Sequence, residues 1–143
     1  MSRRRPVVEI ARRPAGPDFC VVTVAGSGGP FVHCRKPCPE CPWRRDAPRG
    51  AFPAEAYRLS ARTAYDMAES AFSCHMAGSD APSVCAGFLL RGADHNLSIR
   101  LRIIKGEYDP GRVSSDVPLY DDYRAMALAN GVAAGDPALE PCR

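Results

Sequence analysis

Phe19-Cys20-Val21-Val22-Thr23-Val24 is a β-branched, apolar run closed by Gly26-Ser27-Gly28-Gly29-Pro30. It predicts a strand that ends in a turn. Phe31-Val32-His33 reads as a short return strand, and such a hairpin needs a surface to pack against. Beyond residue 50 the apolar spacing becomes helical. Ala54, Tyr57, Ala61, Ala64, Tyr65 and Ala68 share one face, predicting a helix from Pro53 to Ser70 with proline in the first turn. Phe72-Ser73-Cys74-His75 is an extended exit, and Gly78-Ser79-Asp80 turns the chain. Pro82 to Leu90 predicts a short buried helix stopped at Gly92. In residues 96–105, Leu97, Ile99, Leu101 and Ile103 alternate as in a strand, while Leu97, Leu101 and Ile104 share a helix face. Asn96 as cap and Gly106 as stop favour the helix. Leu119 to Asn130 predicts a last helix, with Asp121 and Asp122 in its first turn and Asn130-Gly131 as its end.

This order predicts an α+β fold: a small N-terminal β-hairpin, a metal knuckle loop, then three to four helices packed around one metal site. Residues 1–18 read as a flexible basic arm, with Val7 to Ile10 as a short edge strand at most. Residues 19–135 read as a single domain and 136–143 as a loose tail. At 143 residues the chain is one domain's worth, too short for the barrel enzymes of ~200 residues or more. Fourteen prolines and twelve glycines make it loop-rich.

Seven cysteines change the picture most. No apolar region of ~7–15 residues follows Arg3-Arg4-Arg5, so no secretory signal is read. The longest apolar run, Val84 to Leu90, falls far short of the ~18–20 residues that cross a bilayer. The expectation is a cytoplasmic protein with no membrane association, where thiols point to metal or catalysis rather than disulfides.

The central run is Cys34-Arg35-Lys36-Pro37-Cys38-Pro39-Glu40-Cys41-Pro42-Trp43-Arg44. Cys38 and Cys41 form a C-x-x-C pair, a spacing that lets one turn present two thiolates to one ion. Cys74 and Cys85 supply the second pair from the segments after the first helix. These four are the candidate ligands, with His75 and Cys34 as alternates. Zn²⁺ is the favoured ion, and a 4Fe-4S cluster with redox or catalytic work is the alternative, since both accept four thiolates. Cys34 otherwise reads as a bystander, and Cys20 and Cys142 as incidental thiols. The spacing of Cys34, Cys38 and Cys41 also matches the cluster motif of radical S-adenosylmethionine enzymes, but this chain lacks their length and strand–helix alternation.

Net charge is +3, milder than that of a dedicated nucleic-acid binder. Arg35, Lys36, Arg44, Arg45 and Arg49 nevertheless surround the cysteines. Trp43 reads as a lid over the site or, with Arg44 and Arg45, as a partner-binding surface for protein or nucleic acid. No nucleophile elbow, phosphate loop or Ser/His/Asp set is present, and a binding role is favoured over an enzymatic one.

Pro37-Cys38, Cys41-Pro42-Trp43-Arg44, Phe72-x-Cys74-His75, Cys85-Ala86-Gly87-Phe88-Leu89 and Tyr120-x-x-Tyr123-Arg124-x-Met126-Ala127 together resemble a group of small uncharacterised proteins. They occur in actinobacteria, proteobacteria and their phages, and are classed as a domain of unknown function. The resemblance spans roughly residues 34–143. It implies that Cys38, Cys41, Cys74 and Cys85 belong together with His75, Trp43 and Arg44 close by, and it suggests a phage or mobile-element accessory protein.

Overall fold

The computed structural model describes residues 7–14, 20–26, 31–74 and 83–142, the first two segments as backbone strands. Strand β1, Val7–Pro14, pairs antiparallel with β2, Cys20–Gly26, with a register shift between Glu9 and Ala11. Two residues of β3, Ala71–Phe72, pair with Thr23 and Val24 on the other side of β2. The expected hairpin between residues 19–24 and 31–33 is not formed. His33 instead bridges Val84 in parallel, and the Val84 amide donates to the Val32 carbonyl. The partner of β2 comes from the segment read as an arm.

The first helix is much shorter than its apolar stripe predicts. Helix α1 spans Ala54–Ser60, tightens into a 3-10 turn over Ala61–Ala64, and gives way to extended Tyr65. Distant partners end it. The Tyr65 hydroxyl donates to the Ala138 carbonyl at 2.6 Å, and buried Asn96 draws in the carbonyls of Thr63 and Ser70 at 3.1 and 2.7 Å. These non-local bonds replace those that helical periodicity would have made.

Helix α2 is Ala86–Arg91, so Ser83, Val84 and Cys85 are extended rather than helical as expected. Helix α3 is Leu97–Ile104, capped as expected by Asn96, whose side chain accepts from the Ile99 amide. Helix α4 is Tyr123–Ala129, beginning later than expected because Asp122 is its cap. The Asp122 carboxylate accepts from the Ala125 amide at 2.7 Å, satisfying a donor left open at the helix start. The expected turn at Gly78-Ser79-Asp80 lies outside the described residues.

The centre of the core is Trp43, fully buried, with ring contacts to Phe72 next to it on β3, Phe88 on α2 and Tyr123 on α4. The Tyr123 hydroxyl donates to the Tyr57 carbonyl at 2.7 Å, tying α4 to α1. Segment 136–142, expected to be loose, packs onto this core. Leu139 and Cys142 are buried, and the Arg124 guanidinium donates to the carbonyls of Leu139, Glu140 and Cys142. An apolar Leu139 side chain and three satisfied carbonyls explain why the segment stays down. The described part is therefore a mixed, mostly helical α+β structure.

Candidate functional site: a thiol cluster and its neighbouring cleft

The knuckle turns through local backbone bonds. The Cys41 amide donates to the Cys38 carbonyl and the Arg44 amide to the Cys41 carbonyl. The prolines after Cys38 and Cys41 lack a competing N–H and fix the backbone there. Two extended pieces then bring the remaining cysteines alongside. The Cys74 amide donates to the Ser83 carbonyl, the Cys85 amide to the Phe72 carbonyl, and the Cys34 amide to the Val84 carbonyl. Residues 34, 74 and 85 are thus held by neighbouring short strands.

Sulfur chemistry converges at this point. Cys41 and Cys85 stand with Sγ atoms 3.6 Å apart, both buried. Cys74 is hydrogen-bonded to the thiols of Cys34 and Cys38. Cys34 also lies 3.7 Å from the Ser83 hydroxyl. All six described cysteines carry free thiols. Among the described residues, no three His, Cys, Asp or Glu side chains already stand in an arrangement that would hold a metal ion. Cys41 is turned to Cys85, and Cys74 to Cys34 and Cys38.

Their acidities follow from this crowding. The hydrogen bond from Cys85 holds the Cys41 thiol below its ordinary value against the cost of burial, helped by backbone N–H groups of Trp43 and Gly87. Cys85 moves well upward, because it gives its proton to Cys41 and is wholly enclosed. Burial and the nearby charges of Cys74 and Cys41 push Cys38 up to about 12. Cys34 is raised by its hydrogen bond with Cys74 and by burial. Where several anions would share one space, only the sulfur best supplied with hydrogen bonds, that of Cys41, ionises readily. Amides of Glu40, Trp43, Gly87 and Phe88 point at the sulfurs of Cys38, Cys41 and Cys85.

The other expected site residues separate. His75 lies outside the described residues, and so does the side chain of Cys20. Trp43 is not a partner-binding residue: its exposure is 0%, so nothing outside the protein can stack on it. Arg44 forms a two-pronged pair with Asp46 at 2.7 and 2.8 Å and reaches the Cys38 carbonyl at 3.4 Å. Its charge is spent on bracing the knuckle. Arg45 is half exposed, donates to the Leu119 carbonyl, lies over the Tyr120 ring and stands 3.6 Å from Asp121. Lys36 pairs with Asp116 at 2.7 Å. Cys142, read as incidental, is a buried thiol near the Ala61 carbonyl.

Cys34, expected as an alternate ligand or a bystander, lies beside Cys74 in the cluster. Sequence reasoning missed one feature: beside the knuckle, a cleft of about 300 Å³ is lined by prolines 39, 42 and 48, with Phe52, Tyr57 and Tyr120. Nothing in the sequence marks it, because its walls come from three segments.

Fold and cluster together define a small α+β domain built around converging thiols. Residues 33–143 match the model of a family of unknown function (DUF6283), and the chain belongs to that family. Neither the curated proteins nor the solved structures gave a match to this chain. No helix among the described residues is long and apolar enough to cross a membrane.

Proposed function

We propose that the protein is a zinc-binding module that acts by binding a protein partner. Cys38, Cys41, Cys74 and Cys85 are the ligands, and Cys34 stands by as a fifth thiol. The observation that carries this reading is the 3.6 Å spacing of the Cys41 and Cys85 sulfurs. A tetrahedral centre with Zn–S bonds of ~2.3 Å sets its sulfurs ~3.8 Å apart. Rotation of the Cys38 and Cys74 side chains away from their pairwise hydrogen bonds would complete the set. Backbone N–H groups aimed at the sulfurs favour thiolates, which metals require.

The charge arrangement favours a protein over a nucleic acid. Three of the five basic residues near the cysteines, Lys36, Arg44 and Arg45, already face Asp116, Asp46 and Asp121. A phosphate backbone needs unspent positive charge. The test is metal analysis of anaerobically purified protein, with one zinc per chain expected. Absence of both stoichiometric zinc and iron overturns the site. A brown preparation containing iron and sulfide replaces zinc with the 4Fe-4S cluster. Nucleic-acid binding that falls steeply with salt and is lost in Arg45→Ala would overturn the protein partner.

A further inference from the structure

Helix α3 is set with its apolar stripe outward. Ile99 and Arg102 face the core, 3% and 5% exposed. Leu97, Leu101 and Ile104 follow the i, i+4, i+7 spacing of one helix face, opposite to those two. Ile104 is 78% exposed, and Leu101 and Ile103 are each 42% exposed. The arginine turned inward makes this setting costly. Arg102 is held below the surface by Glu107 at 2.8 Å and lies over the Phe31 ring. Folding alone gains more from burying an aliphatic side chain than from enclosing a charge that needs a partner. The outward stripe therefore serves something beyond the fold.

The segment leading into α3 carries a second, independent sign. Met67 is 54% exposed and holds φ at +60°, a left-handed backbone that residues with a side chain disfavour. Its amide donates to the His95 carbonyl at 2.8 Å, and the Ala68 carbonyl accepts from the Leu97 amide at 2.8 Å, so the residue is pinned beside the start of α3. Such strain collects where binding surfaces are built, and methionine adapts to the shape it meets.

Charge decides the occupant. Arg100 and Lys105 flank the stripe on its two sides, both exposed, and α3 contains no acidic residue. Neither cation has an ion pair among the described residues. A second copy packed face to face would set cation against cation in either direction, which opposes binding. A lipid surface takes apolar side chains that project together, whereas Leu101 and Ile103 lie more than half covered beside a single projecting Ile104. One knob in a shallow relief, edged by two cations, fits a protein helix whose own apolar stripe is edged by Asp or Glu.

We propose that the outer face of α3, with Met67 at its start, docks an amphipathic helix of a partner protein whose apolar stripe is bordered by carboxylates. This names the kind of partner for the protein-binding reading above and rests on that part of it, not on the metal.

Methyl-detected NMR on the full chain as purified tests the proposal with two synthetic helical peptides. Both carry the same leucine stripe, one edged by glutamates and the other by lysines. The glutamate peptide should bind saturably, shift the Leu101, Ile103 and Ile104 methyls, and weaken as salt rises. The lysine peptide should bind about tenfold less tightly or worse. Ile104→Ser alters a side chain that is mostly in water, so melting temperature should hold while binding of the glutamate peptide falls about tenfold. Arg100→Glu combined with Lys105→Glu should reverse the preference between the peptides. No saturable binding, equal binding of both peptides, or glutamate-peptide binding unchanged in Ile104→Ser overturns the proposal. A dimer in sedimentation that Ile104→Ser disperses overturns it in favour of a second copy. Ile104-dependent binding to phosphatidylglycerol vesicles, with neither peptide bound, overturns it in favour of a membrane. Silent peptides strike this face alone, whereas the Arg45-dependent nucleic-acid assay and the metal analysis decide the wider reading.

Discussion

Gly87 lies against Trp43 so closely that a Cβ at position 87 would come within 2.5 Å of the tryptophan Cβ and 2.7 Å of its Cγ. The Gly87 amide meanwhile points at the Cys41 sulfur. One glycine therefore sets both the seat of the central indole and the environment of a cluster thiol. Gly87→Ala must push α2 away from the knuckle, because the obstructing atoms are the root of a buried side chain. The expected cost is about 2–3 kcal/mol, an overpacking penalty at a fully enclosed site, read by denaturant titration. Gly92→Ala meets the far edge of the same indole at 2.6 Å and should destabilise as well. A Gly87→Ala protein of unchanged stability would contradict the packing described.

Asn96 is the polar hinge of the α3 side. It is 1% exposed, caps α3 at the Ile99 amide, and donates to the Thr63 and Ser70 carbonyls. Asn96→Ala leaves two buried backbone groups and one half-buried carbonyl without their partner. The expected loss is about 2–4 kcal/mol, a cap plus unpaired carbonyls. Asn96→Asp keeps the acceptor but aims a buried carboxylate at the Thr63 and Ser70 carbonyls, so it should melt no higher than Asn96→Ala.

Metal removal separates the cysteines. If the ligands are as proposed, Cys38→Ser and Cys85→Ser should each drop zinc content well below one per chain and lower the melting temperature. Cys34→Ser should retain the metal. A chelator should destabilise the wild type and leave Cys85→Ser unmoved. Thiolate ligands compete with protons, so bound zinc should leave as pH falls, with stability dropping in the same direction.

In metal-free protein the Arg44–Asp46 pair supplies a separate acid dependence. The two-pronged hydrogen bond from Arg44 holds the Asp46 carboxyl below its ordinary value. The unfolded chain then takes up this proton before the folded one does. The associated stability is complete above the ordinary carboxylate range, near pH ~4, and is lost as pH falls through the folded value. Both partners meet solvent, so the effect is small and salt-sensitive. Asp46→Asn should flatten this part of the stability curve below about pH 4, measured by thermal melts across pH.

Local signals were the readable ones. Asn96 as a cap, the helix after it and the C-x-x-C knuckle depend on neighbours a few residues away, and the structure has them. The stripe through Ala61, Ala64, Tyr65 and Ala68 misled because the bonds that end α1 come from Asn96 and Ala138, far along the chain. Phe31-Val32-His33 is strand-like, but its partner is Val84 rather than β2. Trp43 beside two arginines read as a lid over the site or a surface anchor, and only the meeting of α2, α4 and β3 shows it to be core. Cys34, Cys74 and Cys85 come together through extended pieces whose pairing no periodicity encodes. The cleft was invisible for the same reason.

The pairing of Cys41 with Cys85 spans 44 positions, and that of Cys34 with Ser83 spans 49. Such closures lag behind local helices during folding, since the intervening loop must first lose its freedom. On a ribosome, the knuckle emerges well before its partners. Its thiols wait uncovered until residue 85 is free, and the indole cannot be sealed before Tyr123 arrives. The order of synthesis thus makes the cluster a late event, exposed to oxidants or ions in the interval before α4 closes over Trp43.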